Sequence, residues 1–108
     1  MASEMPPSLT IGLAGEATLL VTPQQTASAL MSGAVEAFGT PAMLALVENA
    51  AYTSVAPALP AHMTTVGSEV RLRHLAPTPV GMRVTARSRL QEVSGRRLVF
   101  AIEIFDEV

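Results

Sequence analysis

The 108-residue chain contains no cysteine, no lysine and no tryptophan, and its aromatic residues are three phenylalanines and one tyrosine. The missing cysteine excludes disulfide frameworks, a thiol nucleophile and thiolate metal sites together. Charge is also scarce, at 15% of residues with a net −2 and a pI near 5.6, so no broad basic field for nucleic acid exists. No uninterrupted apolar run reaches the roughly 18 residues of a membrane span. The opening Met1-Ala2-Ser3-Glu4-Met5-Pro6-Pro7 has no positive stretch followed by an apolar one, so it does not read as a secretory signal. The expectation is a cytoplasmic protein with neither nucleic acid nor membrane as partner. What is present is a 49% hydrophobic composition, enough for one packed domain over residues 1–108.

The sparse charges are unevenly placed. All seven cations are arginines between Arg71 and Arg97, and from Ala37 to Ser68 the sequence holds a single formal charge, Glu48. Residues 1–10 read as a flexible N-terminus. Ile11 to Thr22 alternates as an extended segment, with Ala17, Leu19 and Val21 on one face, and Pro23 ends it. Residues 24–39 are rich in small side chains and read as a lid or loop with some helical content. Thr40-Pro41 then opens a long central helix over residues 40–57. Threonine is a good N-cap and proline is tolerated in the first turn. Met43, Leu44, Val47, Ala51 and Val55 recur at helical spacing, and the helix is apolar or small nearly all round, which predicts burial on several sides. From Thr64 the period becomes two, predicting a strand that carries Val66, Ser68, Val70, Leu72 and His74 on one face. A strand with Met82, Val84, Ala86 and Leu90 inward follows, then the Ser94-Gly95 hairpin, then Leu98, Phe100, Ile102 and Ile104. The fold class is α+β, an antiparallel sheet laid on one helix.

Glu48 is the first residue to explain. A carboxylate kept from water becomes a stronger base, which suits acid–base work near neutral pH; the alternative is an arginine-paired or solvated helix residue. His74, in line with Val70 and Leu72, is either a proton carrier or a hydrogen-bonded core histidine. Thr40 has a capping role, and its hydroxyl with the free N–H groups of the first turn can also hold a substrate oxygen. Gly67, alone inside a strand pattern, marks a bulge or a close approach to the backbone. His62 and His74 lack metal-ligand spacing, so no metal site is expected.

Taken together, Thr40-x7-Glu48 on the helix and Gly67-x6-His74 on the next segment form one ordered constellation. With the run Gly67-Ser68-Glu69-Val70-Arg71-Leu72-Arg73-His74-Leu75-Ala76 and the Val93-Ser94-Gly95-Arg96-Arg97-Leu98 turn, it resembles the fluoroacetyl-CoA thioesterase-like family of hotdog-fold proteins. The resemblance implies a hotdog homodimer, or a dimer of dimers, with acyl-CoA bound near the subunit interface. It implies thioester hydrolysis by Thr40, Glu48 and His74, with Gly67 and Phe38 beside the substrate. Coenzyme A enters as part of the substrate and no separate cofactor is expected. Met31 and Ala34 stand where fluoroacetate-selective members carry lid phenylalanines, so a small but more general acyl-CoA is expected. The chain stops at Asp106-Glu107-Val108, where the family adds a last strand, so the sheet is expected to lack it. A non-catalytic acyl-CoA or small-ligand binding hotdog module is the alternative reading.

Overall fold

The computed structural model describes residues 9–107; the flexible stretch expected over residues 1–10 lies, for its first eight, outside the described residues. Leu9 itself is buried, packed with Val55 and Leu90. Four elements follow, β1 (Ala14–Leu20), α1 (Thr40–Val55), β2 (Arg83–Ser94) and β3 (Arg97–Asp106), with short 3₁₀ turns at Pro23–Gln25 and Ala56–Ala58. The strands form one antiparallel sheet in the order β1-β2-β3. The β2–β3 hairpin turns at Gly95, whose φ of 58° favours a residue without a Cβ. A register shift between Leu90 and Glu92 bends the long β2 strand.

The inner face of the sheet is set by its alternation. Ala17, Ala86 and Ile104 form one cross-strand row, and Gly15, Ser88 and Ile102 the next. Against these rows α1 buries Met43, Leu46, Val47, Ala50, Ser54 and Val55. The small residues are there because the helix comes very close: a Cβ added at Gly15 would lie 2.6 Å from the Ser54 backbone nitrogen. The Ser54 hydroxyl donates to the Ala50 carbonyl at 2.9 Å and also reaches the Ser88 carbonyl at 3.5 Å. Phe38, Val21, Met43 and Val84 extend this core toward the start of the helix. On the outer face Arg87 pairs with Glu16 at 3.1 Å and lies over the Phe105 ring. Both ionic groups are well exposed, so the pair adds little to stability.

The structure differs from the sequence reading at five points. Gly39, not Thr40, is the N-cap of α1, in an extended conformation (φ −80°, ψ 146°). Gly39 fits there because the Ala27 backbone stands only 3.1 Å from where its Cβ would be, and glycine is itself an acceptable cap. The helix ends at Val55 rather than 57. Pro57 has no N–H to continue the ladder, so the chain tightens into the 3₁₀ turn. The helix is buried on one side only, and Ala45, Glu48, Asn49, Tyr52 and Thr53 remain exposed. Finally, the strand expected from Thr64 to His74 pairs with no other strand among the described residues. Residues 73–76 are separated from the end of β3 by a cavity of about 230 Å³, and a segment without a hydrogen-bonding neighbour forms no ladder. The helical content expected in the lid reduces to turns after Pro23–Gln25.

The close helix–sheet approach makes Gly15 a sensitive position. Gly15→Ala should destabilise the fold by about 1–3 kcal/mol, because the added methyl meets helix backbone that must shift bodily. Urea unfolding of the two proteins checks it, and equal midpoints would overturn it.

Candidate active site

The start of α1 and the segment after it supply the predicted residues. Thr40 is the first residue of the helix, and since Gly39 takes the capping position, no cap bond claims its hydroxyl. That hydroxyl instead lies 2.9 Å from His74 Nδ1, a hydrogen bond between residues 34 apart in sequence. The His74 ring is half-buried. Its edge-to-face partner is Phe38, with ring centroids 6.4 Å apart at 67°. Phe38 is 2% exposed and is held by its N–H donating to the Thr78 carbonyl at 2.8 Å. A buried aromatic and a hydroxyl therefore fix the imidazole from two sides. The other ring nitrogen, Nε2, is buried and has no hydrogen-bond partner in the described structure.

Glu48 and Gly67 form the second pair. A Cβ on Gly67 would lie 2.7 Å from Glu48 Oε2, so the carboxylate occupies the space that the missing side chain leaves. Glu48 is exposed, so of the two readings left open by the sequence this chain alone presents the solvated one: it does not exclude water from the carboxylate. Eight residues separate Thr40 from Glu48, about 12 Å along the helix axis. The structure thus brings Thr40 to His74, and Glu48 to Gly67, but holds the two pairs apart on one helix.

A cavity of about 240 Å³ opens beside Thr40 and His74, walled by Ala27, Ser32, Val35, Ala37, Leu75 and Pro77, with Phe38 behind; Val35 and Leu75 are exposed, so it is open to solvent. The lid forms its outer wall. It is closed at its base where Thr26 bridges Phe38 and Ala37 bridges Pro79, and the Ala27 N–H donates to the Ala37 carbonyl at 2.8 Å. Ala27, Ala37 and Pro77 were not singled out from the sequence; small apolar residues in a loop carry no signal until the loop's closure is known. Among the described residues no cluster of three histidine or acidic side chains could hold a metal, and no helix is long and apolar enough to cross a membrane.

The family model described as fluoroacetyl-CoA-specific thioesterase, FlK, matches residues 21–108. The chain belongs to that family. Among individual relatives, the fluoroacetyl-CoA thioesterase of Streptantibioticus cattleyicolor is 36% identical over 73 residues, 68% of this chain and 52% of the relative. The match therefore spans about half the length of that protein. Two solved structures share the hotdog architecture. A mutant of the FlK thioesterase in complex with fluoroacetate and CoA is 30% identical, with a TM-score of 0.85 over 93% of this chain and 85% of that one. A thioesterase superfamily member from Thermus thermophilus is 28% identical, with a TM-score of 0.85 over 95% of this chain and 75% of that one. The α+β hotdog fold expected from the sequence is the fold observed.

Gly67 can be tested apart from any activity. Gly67→Ala should leave stability within about 0.5 kcal/mol, because the added methyl meets the far end of a flexible, exposed side chain. It should also move the Glu48 carboxylate, visible in a crystal structure of the variant. An undisturbed carboxylate, or a large stability loss, would contradict the contact.

Proposed function

We propose that the protein is an acyl-CoA thioesterase acting on a small acyl group, without fluoroacetyl selectivity, and that it works as a homodimer in the cytoplasm. The observation that carries the reading is the Thr40–His74 hydrogen bond at the wall of the lid cavity, in a chain of the FlK family. A thioester carbonyl placed in that cavity would lie beside a hydroxyl and the N–H groups at the start of α1, which are preorganised to receive a developing oxyanion. With Nε2 protonated, His74 Nδ1 accepts the Thr40 proton; with Nδ1 protonated, the ring donates to Thr40. A histidine able to take either state can carry a proton to the departing sulfur.

Glu48 completes the chemistry, either as the base that activates water or as the nucleophile that attacks the carbonyl carbon. In both cases water supplies the oxygen of the carboxylic acid, the carbon–sulfur bond breaks, and the thiolate leaves as the CoA thiol after gaining a proton. The 12 Å spacing along one helix is the argument for two copies. A second chain packed on the exposed face of α1 and on the unpaired segment 64–75 would bring its Glu48 and Gly67 toward the Thr40–His74 pair of the first. The exposed apolar side chains Val66, Val70 and Tyr52 on these surfaces are the kind that association covers.

Glu48→Gln and His74→Ala should each lower turnover of a short acyl-CoA by at least about 10²-fold, read as free-thiol release, while binding of the ester persists in Glu48→Gln. Ester binding by a folded wild-type protein with no thiol release from any acyl-CoA would favour the binding module instead.

A further inference from the structure

His74 sits on a segment whose backbone nothing holds. Residues 64–77 make no backbone hydrogen bond among the described residues. The last tie before them is local, from the Met63 N–H to the Pro60 carbonyl at 3.0 Å, and the first after them is at Thr78. Leu72 packs against the core, but apolar packing is non-directional. A reacting group displaced by about 1 Å loses on the order of 10² in rate, so the histidine needs a further anchor. We infer that Thr78, through its hydroxyl bond to Asp106, is a positioning residue for His74; this rests on the thioesterase reading above, in which His74 acts on the thioester.

Thr78 joins three parts of the molecule. Its carbonyl accepts the Phe38 N–H at 2.8 Å, and Phe38 sets its ring edge against the imidazole. Its hydroxyl donates to Asp106 Oδ2 at 3.2 Å, on the last residue of β3. The following residue, Pro79, bridges to Ala37 at the base of the lid. Thr78 is buried and does not line the lid cavity. What it contributes reaches the site through Phe38 and through the short span back to His74.

Filling space does not require the hydroxyl. Valine has nearly the same shape and brings no polar atom that must find a partner out of water. What the hydroxyl adds is direction. Thr78 and Asp106 both line the cavity of about 230 Å³ between residues 73–76 and the end of β3, so their bond links the unanchored stretch to the sheet across that gap.

The chain has two histidines, His62 and His74, so their imidazole signals can be followed separately by NMR on the full chain. In the wild type the His74 ring should give one set of signals, displaced from those of the exposed His62 by the Phe38 ring. Thr78→Val should broaden that set or move it toward the His62 positions. It should also lower kcat for a short acyl-CoA about tenfold or more, with KM within about twofold. Thr78→Ser keeps the hydroxyl and should hold the signals in place, with kcat within about threefold of wild type. Asp106→Ala cuts the same bond from the other side, and adding Thr78→Val to it should lower kcat no further. If Thr78→Val does not fold, Asp106→Ala carries the comparison. If the wild type cleaves no thioester but the His74 signals follow this order, the positioning role stands and the catalytic reading fails. Ring signals or kcat unchanged in a folded bond-cutting variant, no recovery in Thr78→Ser, or loss of the fold in both bond-cutting variants would overturn the inference.

Discussion

The position of α1 against the sheet depends on one close approach, that of Ser54 to Gly15. With a side chain at residue 15 the helix would have to move outward, and the rows Ala17–Ala86–Ile104 and Gly15–Ser88–Ile102 beneath it would no longer be filled. Small residues on both sides keep the packing dense without long side chains between the layers. Because the helix is held this firmly at its C-terminal half, its first turn is also fixed in space, and with it Thr40. The site thus inherits its geometry from a contact at the far end of the same helix.

At the other end, the chain uses buried structure to aim a polar group. Phe38 is part of the core, yet its ring edge meets His74, and its backbone ties the lid to the segment that carries Thr78. Moving the histidine would mean moving core. The glutamate is treated differently. It stands exposed on the open face of the helix, its carboxylate over the backbone of Gly67. A rigid pair and an open one on the same helix make sense together if the open one faces a second surface.

An unusual feature of the molecule is how much apolar surface it leaves uncovered from α1 onward. Val66 and Leu75 are each more than 80% exposed, the face of α1 carrying Ala45, Tyr52 and Thr53 meets solvent, and β3 has no strand on its outer side among the described residues. Edges and patches of this kind invite association. The lid, by contrast, closes on itself at its base with backbone hydrogen bonds.

Much of the fold was legible in the sequence because its signals are local. Alternation marks β1, β2 and β3; Ser94-Gly95 marks the hairpin; a long apolar run between prolines marks α1. The spacing of Thr40, Glu48, Gly67 and His74 pointed to one constellation and to the right family. Sequence could not tell that Gly39 rather than Thr40 caps the helix, since both residue types serve and the choice turns on the Ala27 backbone packed beside Gly39. Nor could it tell that residues 64–74, with a clear two-residue period, lack a strand partner among the described residues: periodicity reports which faces are apolar, whereas a strand exists only where another backbone lies within hydrogen-bonding distance. Only the tertiary structure decided that Thr40, Glu48, Gly67 and His74 meet as two pairs, because pairing depends on how the segment after the helix runs back along it. The chemistry is written in the residue types; which groups meet is a property of the packing.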